Sequence, residues 1–209
     1  MTPQALVDAG LELPQLLQIL YGDVDGYGLS NQGRERAGVH MESMTYGEVT
    51  PDVMMELMQT ANAQPGQVFY DLGSGTGKPA LFASMLTDLG KCVGIELLPE
   101  LNDAAQMVLQ RYQDQILPYL PQKHWQQIEY RCADMMEQDI SDADIVFTHC
   151  TCFAPMLMDA IRAKCEQLKV GAIVITISKE LGSPLFAHAD TRVVQMAWGT
   201  ATAYFWKKI

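Results

Sequence analysis

The chain has 209 residues, which is enough for one α/β domain with an N-terminal extension and a sizeable core. Its hydrophobic fraction of 48% and charged fraction of 19% are ordinary for a globular protein, and no apolar run approaches the roughly 18 residues that predict a membrane span. A net charge of −11 argues against a protein that binds nucleic-acid phosphates. It suits a cationic substrate, and a solvated acidic surface explains it equally well.

The N-terminal part of the chain is predicted to be a helical extension, residues 1–43, followed by one domain over residues 44–209. Residues 3–20 carry apolar side chains at helical spacing, interrupted by Pro14, and predict one or two short helices. Residues 22–33 are rich in turn-forming residues and are predicted to form a mobile loop.

Two features of the sequence predict a cytoplasmic location. No Lys or Arg precedes Arg34, so the sequence shows neither the basic start of a signal peptide nor an Arg-rich transit peptide. The five cysteines are odd in number, and most fall in predicted core strands, so we expect reduced thiols.

The central feature is a strand, a glycine-rich turn and a helix in immediate succession. Residues 68–70 read as a buried strand that Asp71 ends, and three glycines follow at alternate positions, Gly73, Gly75 and Gly77. A turn without Cβ atoms lets a ligand approach the backbone closely, and the N–H groups at the start of the next helix favour electron-rich atoms.

Spacing separates the cofactors that could use this turn. A phosphate-binding loop would need glycine at Leu72 and Ser or Thr at Pro79, and a dinucleotide turn would need glycine at Lys78. What remains is the pattern of class I S-adenosylmethionine (SAM) methyltransferases. Glu96, at the end of the next predicted strand, supports it because a carboxylate there can accept both ribose hydroxyls.

The rest of the chain alternates strands and helices and closes with a β-hairpin. This order predicts an α/β fold with a Rossmann-like, doubly wound, seven-stranded sheet and an antiparallel edge. Helices are predicted from residue 51, capped by Thr50, over 99–117 and over 155–168; strands are predicted over 93–96, 128–133, 143–148 and 172–177; and the hairpin is predicted over 192–206.

Polar residues follow several predicted parallel strands, where ligands bind in such sheets. The glycine turn would pass under the methionyl part of SAM, Glu96 would hold the ribose, and Asp134 would accept from the adenine amino group. His149, after the fourth strand, is either a base or orienting group for the acceptor or a structural histidine. Although Cys150 and Cys152 lie beside it, no second Cys/His pair is nearby in sequence, so we expect no metal site.

Three stretches resemble the non-SET histone lysine methyltransferase family named for disruption of telomeric silencing. They are residues 45–50, residues 71–78 with 93–96, and residues 145–153 with 169–178, within a match over about 44–180. The resemblance implies SAM as cofactor. It also implies a loop that covers SAM and contacts its methionyl end, with Tyr46 beside the reacting groups; the loop residues so implied as SAM contacts are Tyr46, Gly47, Glu48 and Thr50.

The departures from the family bear on the substrate. The family has paired asparagines after the fourth strand, where this chain has His149 and Cys150, and its lysine-rich nucleosome-binding extension is not found in this sequence. We therefore expect a SAM-dependent methyltransferase for a protein lysine or another amine. The alternatives are a small-molecule methyltransferase, with residues 22–33 as its lid, and a non-catalytic SAM-binding protein. An NAD-dependent oxidoreductase is disfavoured by Lys78.

Overall fold

The computed structural model of the protein describes residues 10, 12–38, 46–120, 123 and 125–209. A seven-stranded sheet lies between two layers of helices, as the sequence predicts. In chain order the elements are α1 (Leu13–Tyr21), α2 (Gly26–Ala37), α3 (Pro51–Thr60), β1 (Val68–Leu72), α4 (Lys78–Leu86), β2 (Lys91–Glu96), α5 (Pro99–Gln115), a 3₁₀ turn (Leu117–Tyr119), β3 (Gln127–Cys132), β4 (Ile145–Thr148), α6 (Pro155–Cys165), β5 (Ile173–Ile177), β6 (Phe186–Met196) and β7 (Gly199–Lys208).

The strands are ordered β3-β2-β1-β4-β5-β7-β6. The first five in this order are parallel, and β7 pairs antiparallel with both β5 and β6. Strand order reverses between β1 and β4, so the carboxyl ends of these two strands mark the switch point where ligands bind in such sheets.

Both faces of the sheet are buried at its central strands, β2, β1, β4 and β5. On β1, Phe69 packs into the core formed with α1, α3, α4 and α5, whereas Tyr70 and Leu72 pack into the core on the side of α6. Burial on both faces explains why these central strands are mostly apolar rather than alternating between apolar and polar residues.

Most predicted elements are confirmed with small shifts at their ends. Thr50 caps α3 through a bond from Val53 N to its Oγ1 at 3.4 Å, and Pro51 occupies the first helical position. The hairpin strands are longer than predicted, because β6 begins at Phe186 and β7 continues to Lys208. Ten ladder pairs join the two strands across a bulge. The bulge adds a residue to one strand and so interrupts the alternating pattern by which strands are predicted.

The prediction of a mobile loop over residues 22–33 was wrong, since α2 occupies most of it. Asp25 caps this helix by accepting a bond from Gly28 N at 2.9 Å. Gly33 lies so close to α5 that a Cβ atom would be 2.7 Å from Glu100 Oε2. These turn-forming residues therefore have two roles in the helix: Asp25 caps its start, and Gly33 lets it pack closely against α5. Aspartate and glycine are also common in loops, so these residue types alone do not distinguish a loop from this helix.

Two ion pairs fasten the N-terminal helices to α5. Arg111 donates to both carboxylate oxygens of Asp23, at 2.5 and 2.8 Å, and to Leu20 O at 3.1 Å. Arg36 lies 2.9 Å from Glu100. Helix α1 confirms part of the predicted 3–20 helical segment, and the remainder lies outside the described residues apart from residues 10 and 12. The domain boundary at residue 43 stays a prediction.

All five cysteines are free thiols, as expected. Cys92, Cys150 and Cys165 are buried, and Cys132 is exposed. Within the described part of the chain, no helix has the length and apolar character needed to cross a membrane.

Candidate functional site

A cavity of about 260 Å³ lies at the carboxyl ends of β1, β2 and β4. It brings together residues from six separate parts of the chain: the segment before α3, the glycine turn, the ends of β2 and β4 with the residues that follow each, the residues that follow β3, and Met196 of β6. The predicted site residues that line it are Tyr46, Gly47, Glu48, Gly73, Gly75, Glu96, Asp134 and His149.

The glycine turn requires glycine for different reasons at different positions. Gly73 and Gly75 have φ angles of 86° and 55°, in the left-handed region that favours glycine. A Cβ atom on Gly73 would meet only Phe153, at 3.8 Å, whereas one on Gly75 would lie 2.5 Å from the ring of Tyr46. Gly73 thus leaves the backbone open to a ligand, and Gly75 makes room for Tyr46.

Three predicted cofactor contacts do not line the cavity. Gly77 caps α4 at a φ of 83°, and a Cβ atom there would lie 2.5 Å from the ring of Tyr130, whose hydroxyl donates to Gly77 O at 2.6 Å. Thr50 caps α3. Asp71 is fully buried beneath the turn. Their roles in cofactor binding stay predictions, and the structure shows what each does for the fold.

Asp71 is a buried carboxyl group without a hydrogen bond to any described residue. Burial, reinforced by the charge of Glu96, raises its pKa well above the ordinary value. The neutral form is therefore favoured, and it offers a donor and an acceptor directly below the turn.

Glu96 joins the turn to the end of β2. Its Oε2 accepts from Gly75 N at 2.8 Å and its Oε1 accepts from Leu98 N at 2.9 Å. Burial raises the pKa of this carboxyl group, and the backbone bonds oppose that rise. Because each carboxylate oxygen can accept more than one bond, Glu96 retains capacity for ligand hydroxyls.

Asp134 is exposed and lies just after β3. Its Oδ1 accepts from Met136 N at 2.8 Å, so the residue caps the turn as well as lining the cavity.

The segment from Tyr46 to Glu48 packs directly onto the glycine turn. The hydroxyl of Tyr46 donates to Glu48 Oε1 at 2.8 Å and lies 2.7 Å from Thr76 Oγ1. Burial, with the nearby charge of Glu48, raises the pKa of Tyr46 far above its ordinary value. Tyr46 therefore stays protonated and acts as a hydrogen-bonding group, not as a base.

Helix α2 contributes to the placement of Tyr46. A Cβ atom on Gly26 would lie 2.5 Å from the Tyr46 hydroxyl, and the ring of Tyr27 stands edge-on to that of Tyr46 with centroids 5.2 Å apart. The segment predicted to be a mobile loop therefore forms a helix that packs against the site residue Tyr46.

His149 lies beside Gly47 and against the β6–β7 hairpin. Its ring is 5.5 Å from that of Trp198, centroid to centroid, and burial lowers its pKa to about 4. Nε2 of His149 is buried and has no partner among the described residues. The imidazole is therefore neutral at physiological pH and is a weak base.

Sequence reasoning missed three residues of the site, Thr76, Lys78 and Trp198. Lys78 forms an ion pair with Glu48, Nζ to Oε2 at 2.5 Å. Its signal in the sequence is a lysine directly after the third glycine, a position that by itself only excludes other cofactors. Trp198 carries no local signal, because its position at the hairpin turn places it at the site only through the sheet.

The cavity fits SAM in the chemistry of its walls. That cofactor has a methionyl part, a ribose and an adenine. The walls that match these parts are the open backbone at Gly73, the carboxylates of Glu48, Glu96 and Asp134, and apolar side chains. The buried Ser74 Oγ in the turn has no partner among the described residues. No group of three or more metal-ligating side chains occurs in the described part of the chain.

Comparison with known families decides between cofactor classes. The family model described as "Histone methylation protein DOT1" matches residues 39–197. The chain belongs to this family. It therefore carries a class I methyltransferase domain, and its cofactor is SAM. This confirms the cofactor predicted from the glycine turn and Glu96.

Two curated proteins and one solved structure illustrate the similarity. The chain is 31% identical over 159 residues to a Dictyostelium discoideum protein named "Histone-lysine N-methyltransferase, H3 lysine-79 specific". That match covers 74% of this chain and 8% of the relative. A Caenorhabditis elegans protein of the same name is 30% identical over 147 residues, covering 68% and 15%. The chain thus spans a small part of the length of these relatives.

The solved structure is an RNA methyltransferase from Salinibacter ruber in complex with S-adenosylhomocysteine. It is 25% identical to this chain, with a TM-score of 0.58, and the match covers 77% of this chain and 93% of that chain. This protein of the same fold, crystallised with the demethylated cofactor, agrees with the cofactor class assigned to the DOT1 domain.

Proposed function

We propose that this protein is a SAM-dependent methyltransferase that acts on a protein lysine or another amine. One observation carries the proposal. A single cavity joins the glycine turn and Glu96, which suit the cofactor, to the neutral imidazole of His149, which suits an acceptor. The domain class and cofactor follow from the DOT1 family, and the acceptor is the part that needs testing.

The bound cofactor would supply a methyl group on an electrophilic sulfonium, and the protein's part is alignment and desolvation. Glu96, Glu48 and the turn would hold the cofactor. An amine acceptor must be neutral to attack, and with a pKa of about 4 His149 is too weak a base to deprotonate an ammonium group. His149 instead accepts a hydrogen bond and orients the acceptor nitrogen, while the proton leaves to water.

Trp198 supports an alkylammonium acceptor. This residue is 40% exposed, and its ring stands beside that of His149, which lines the cavity. An aromatic face attracts a cation and packs against an alkyl stem. The net charge of −11 favours a basic partner protein. Histone H3 is the first candidate because the curated relatives are named for it. The predicted absence of nucleic-acid partners and the cytoplasmic location stay predictions.

Cofactor binding is tested first, by thermal unfolding with S-adenosylhomocysteine and with NAD as control. A ligand at about 100 times its dissociation constant adds roughly 2.7 kcal/mol, which is several degrees for a domain of this size. We expect a shift with S-adenosylhomocysteine alone. A shift with NAD, or with neither ligand, would overturn the proposed function.

The acceptor is then sought by mass spectrometry with SAM and a matched panel of histone H3, nucleosomes, lysine-rich peptides and small amines. We expect mass increments of one methyl group or more on lysines of a basic protein, abolished by Glu96→Ala. Methylation of small amines alone would indicate the small-molecule alternative. Cofactor binding without transfer to any of them would indicate a non-catalytic SAM-binding protein.

A further inference from the structure

The loop that follows β4 carries two residues of the cavity wall. This β4 loop, residues 149–153, contains no helix or strand. His149 and Phe153, at its two ends, both line the cavity. The ring of Phe153 also lies over the open backbone of the glycine turn, 3.8 Å from where a Cβ atom on Gly73 would stand. The placement of the β4 loop therefore sets the distance between the proposed acceptor site and the glycine turn.

Three side-chain contacts hold the β4 loop against the residues at the end of β5. Each contact joins positions that are 26 or 27 residues apart in the chain. The contacts are Cys150 Sγ to Ile177 O at 3.0 Å, Thr151 Oγ1 to Ser178 Oγ at 2.9 Å, and Lys179 Nζ to Phe153 O. They run in the same order along both segments, so the loop is fastened along its length.

The contact made by Lys179 is of the strongest kind among the three. An ammonium donor forms a charge-assisted hydrogen bond, which is roughly twice as strong as a bond between neutral groups. The other two contacts are neutral. Burial raises the pKa of the Cys150 thiol to about 11, so the thiol stays protonated, and the pair of hydroxyls carries no charge. Lys179 therefore contributes most to fixing the end of the loop at Phe153.

The backbone at Ser178 brings Lys179 to this contact. Ser178 has a φ of 69°, in the left-handed region that residues with a Cβ atom rarely adopt. Its N–H donates to Thr202 O of β7 at 2.7 Å, so the sheet fixes this conformation. Such strained residues persist where the surrounding structure holds them, and they cluster at functional sites. The strained turn after β5 is thus matched to a loop that lines the cavity.

We propose that Lys179 is a positioning residue for methyl transfer. Through Phe153 O it fixes the β4 loop, and the loop keeps His149 and Phe153 at the distance from the glycine turn that an in-line transfer requires. Lys179 is not among the described residues that line the cavity, so it acts through the loop. A misplacement of about 1 Å caused by a change away from the reacting atoms can cost about 100-fold in rate. This inference rests on the proposed function.

Steady-state kinetics of Lys179→Met test this role with the acceptor found by mass spectrometry. Methionine keeps an unbranched apolar side chain but has no ammonium donor. We expect kcat to fall by about tenfold or more and the KM for the acceptor to change less. The dissociation constant for S-adenosylhomocysteine should stay within about threefold, and Tm should fall by no more than about 4 °C. Lys179→Arg keeps a charged donor and should restore most of kcat, and Thr151→Val should lower kcat less than Lys179→Met.

The ionisation of His149 gives a second readout, which needs no acceptor. Burial at the start of the β4 loop lowers its pKa to about 4. If Lys179→Met releases the loop, water reaches the imidazole and the pKa should rise toward its ordinary value of 6.5. The ring protons report this pKa in an NMR titration, and His149→Gln assigns their signals. A loss of global stability alone would leave the pKa unchanged, because the folded state would still bury His149.

Lys169→Met is the matched control. Lys169 Nζ also donates to a backbone carbonyl, Asp142 O at 3.0 Å, and lies 2.6 Å from Asp144 Oδ1. It likewise joins the segments beside β4 and β5, but at the amino ends of these strands, away from the β4 loop. Lys169→Met should therefore change neither kcat nor the pKa of His149.

The outcomes separate this proposal from the proposed function. An unchanged kcat in Lys179→Met would show that transfer does not depend on this contact, and a lower kcat without a rise in the His149 pKa would show that Lys179 does not act through the loop. A joint fall in Tm, cofactor affinity and kcat would show that Lys179 supports the fold. Each of these results overturns the proposal while the methyltransferase assignment stands. If the unaltered protein bound S-adenosylhomocysteine but methylated no acceptor, the proposed function would fail, and the positioning role with it.

Discussion

The imidazole of His149 stands edge-on to the indole of Trp198, with an angle of 64° between the ring planes. Gly47 lies against both rings, since a Cβ atom on it would be 2.7 Å from His149 Cε1 and 3.0 Å from Trp198 Nε1. The end of β4, the hairpin turn and the loop before α3 therefore meet at one point, which the proposed function places beside the acceptor.

Trp198→Ala should impair acceptor binding and leave cofactor binding intact. Loss of a cation–π and packing partner of roughly 1–2 kcal/mol corresponds to about a tenfold rise in the KM for the amine acceptor. The dissociation constant for S-adenosylhomocysteine should stay unchanged in calorimetry. Trp125→Ala is the matched control, because Trp125 is 51% exposed and precedes β3 at the opposite edge of the sheet. Equal effects of the two variants would contradict the role given to Trp198.

His149 should make the protein sensitive to acid. Burial lowers its folded-state pKa to about 4 from the ordinary value of 6.5, so between these values the unfolded chain binds a proton that the folded chain does not. Stability is therefore lost as the pH falls from about 6.5 to 4, by up to about 3 kcal/mol for this group.

The measurement for His149 is urea unfolding of the wild-type protein and of His149→Gln at several pH values from 7.5 to about 4.5. Other groups titrate in both proteins, so the difference between the two curves isolates the histidine. We expect the free energies of unfolding to converge, or to reverse in order, as the pH falls. A constant difference across the range would mean that His149 titrates near its ordinary pKa.

Gly75→Ala should destabilise the protein more than Gly73→Ala. Both glycines have left-handed backbone, which costs a residue with a Cβ atom about 1–2 kcal/mol. Only the Cβ atom of the alanine at 75 would collide with Tyr46, at 2.5 Å, and displace it from Thr76. Thermal unfolding without ligand should rank the stabilities as wild type, Gly73→Ala and Gly75→Ala, and equal losses would show that Tyr46 moves away freely.

Glu96→Ala should reduce both stability and cofactor affinity. It leaves the buried N–H groups of Gly75 and Leu98 without an acceptor, which costs about 1–3 kcal/mol in the free energy of unfolding. Glu96→Gln keeps one acceptor oxygen and should fall between Glu96→Ala and the wild type in urea unfolding. Glu129→Ala removes an exposed carboxylate that pairs with the partly exposed Arg131, and it is the control expected to change little.

Sequence reasoning located the site because its main signals are local. The alternate glycines, Asp71 and Glu96 lie within one strand–helix–strand unit. The spacing of apolar residues and the turn-forming residues predict such a unit from short stretches of sequence. The same local rules failed for α2, since Asp25, Gly28 and Gly33 serve equally well in a loop and in a capped, closely packed helix. Its packing against α5 and Tyr46 decides between the two.

The sequence by itself determined the α/β class, the order of the elements and the cofactor-binding turn, because each depends on interactions between near neighbours in the chain. Only the tertiary structure decided which residues share the cavity. Tyr46 reaches Thr76 across 30 positions, and Trp198 reaches His149 through the hairpin at the sheet edge. The pairing of Lys78 with Glu48 arises in the same way. Contacts between such distant positions depend on sheet order and helix docking, which no local pattern encodes.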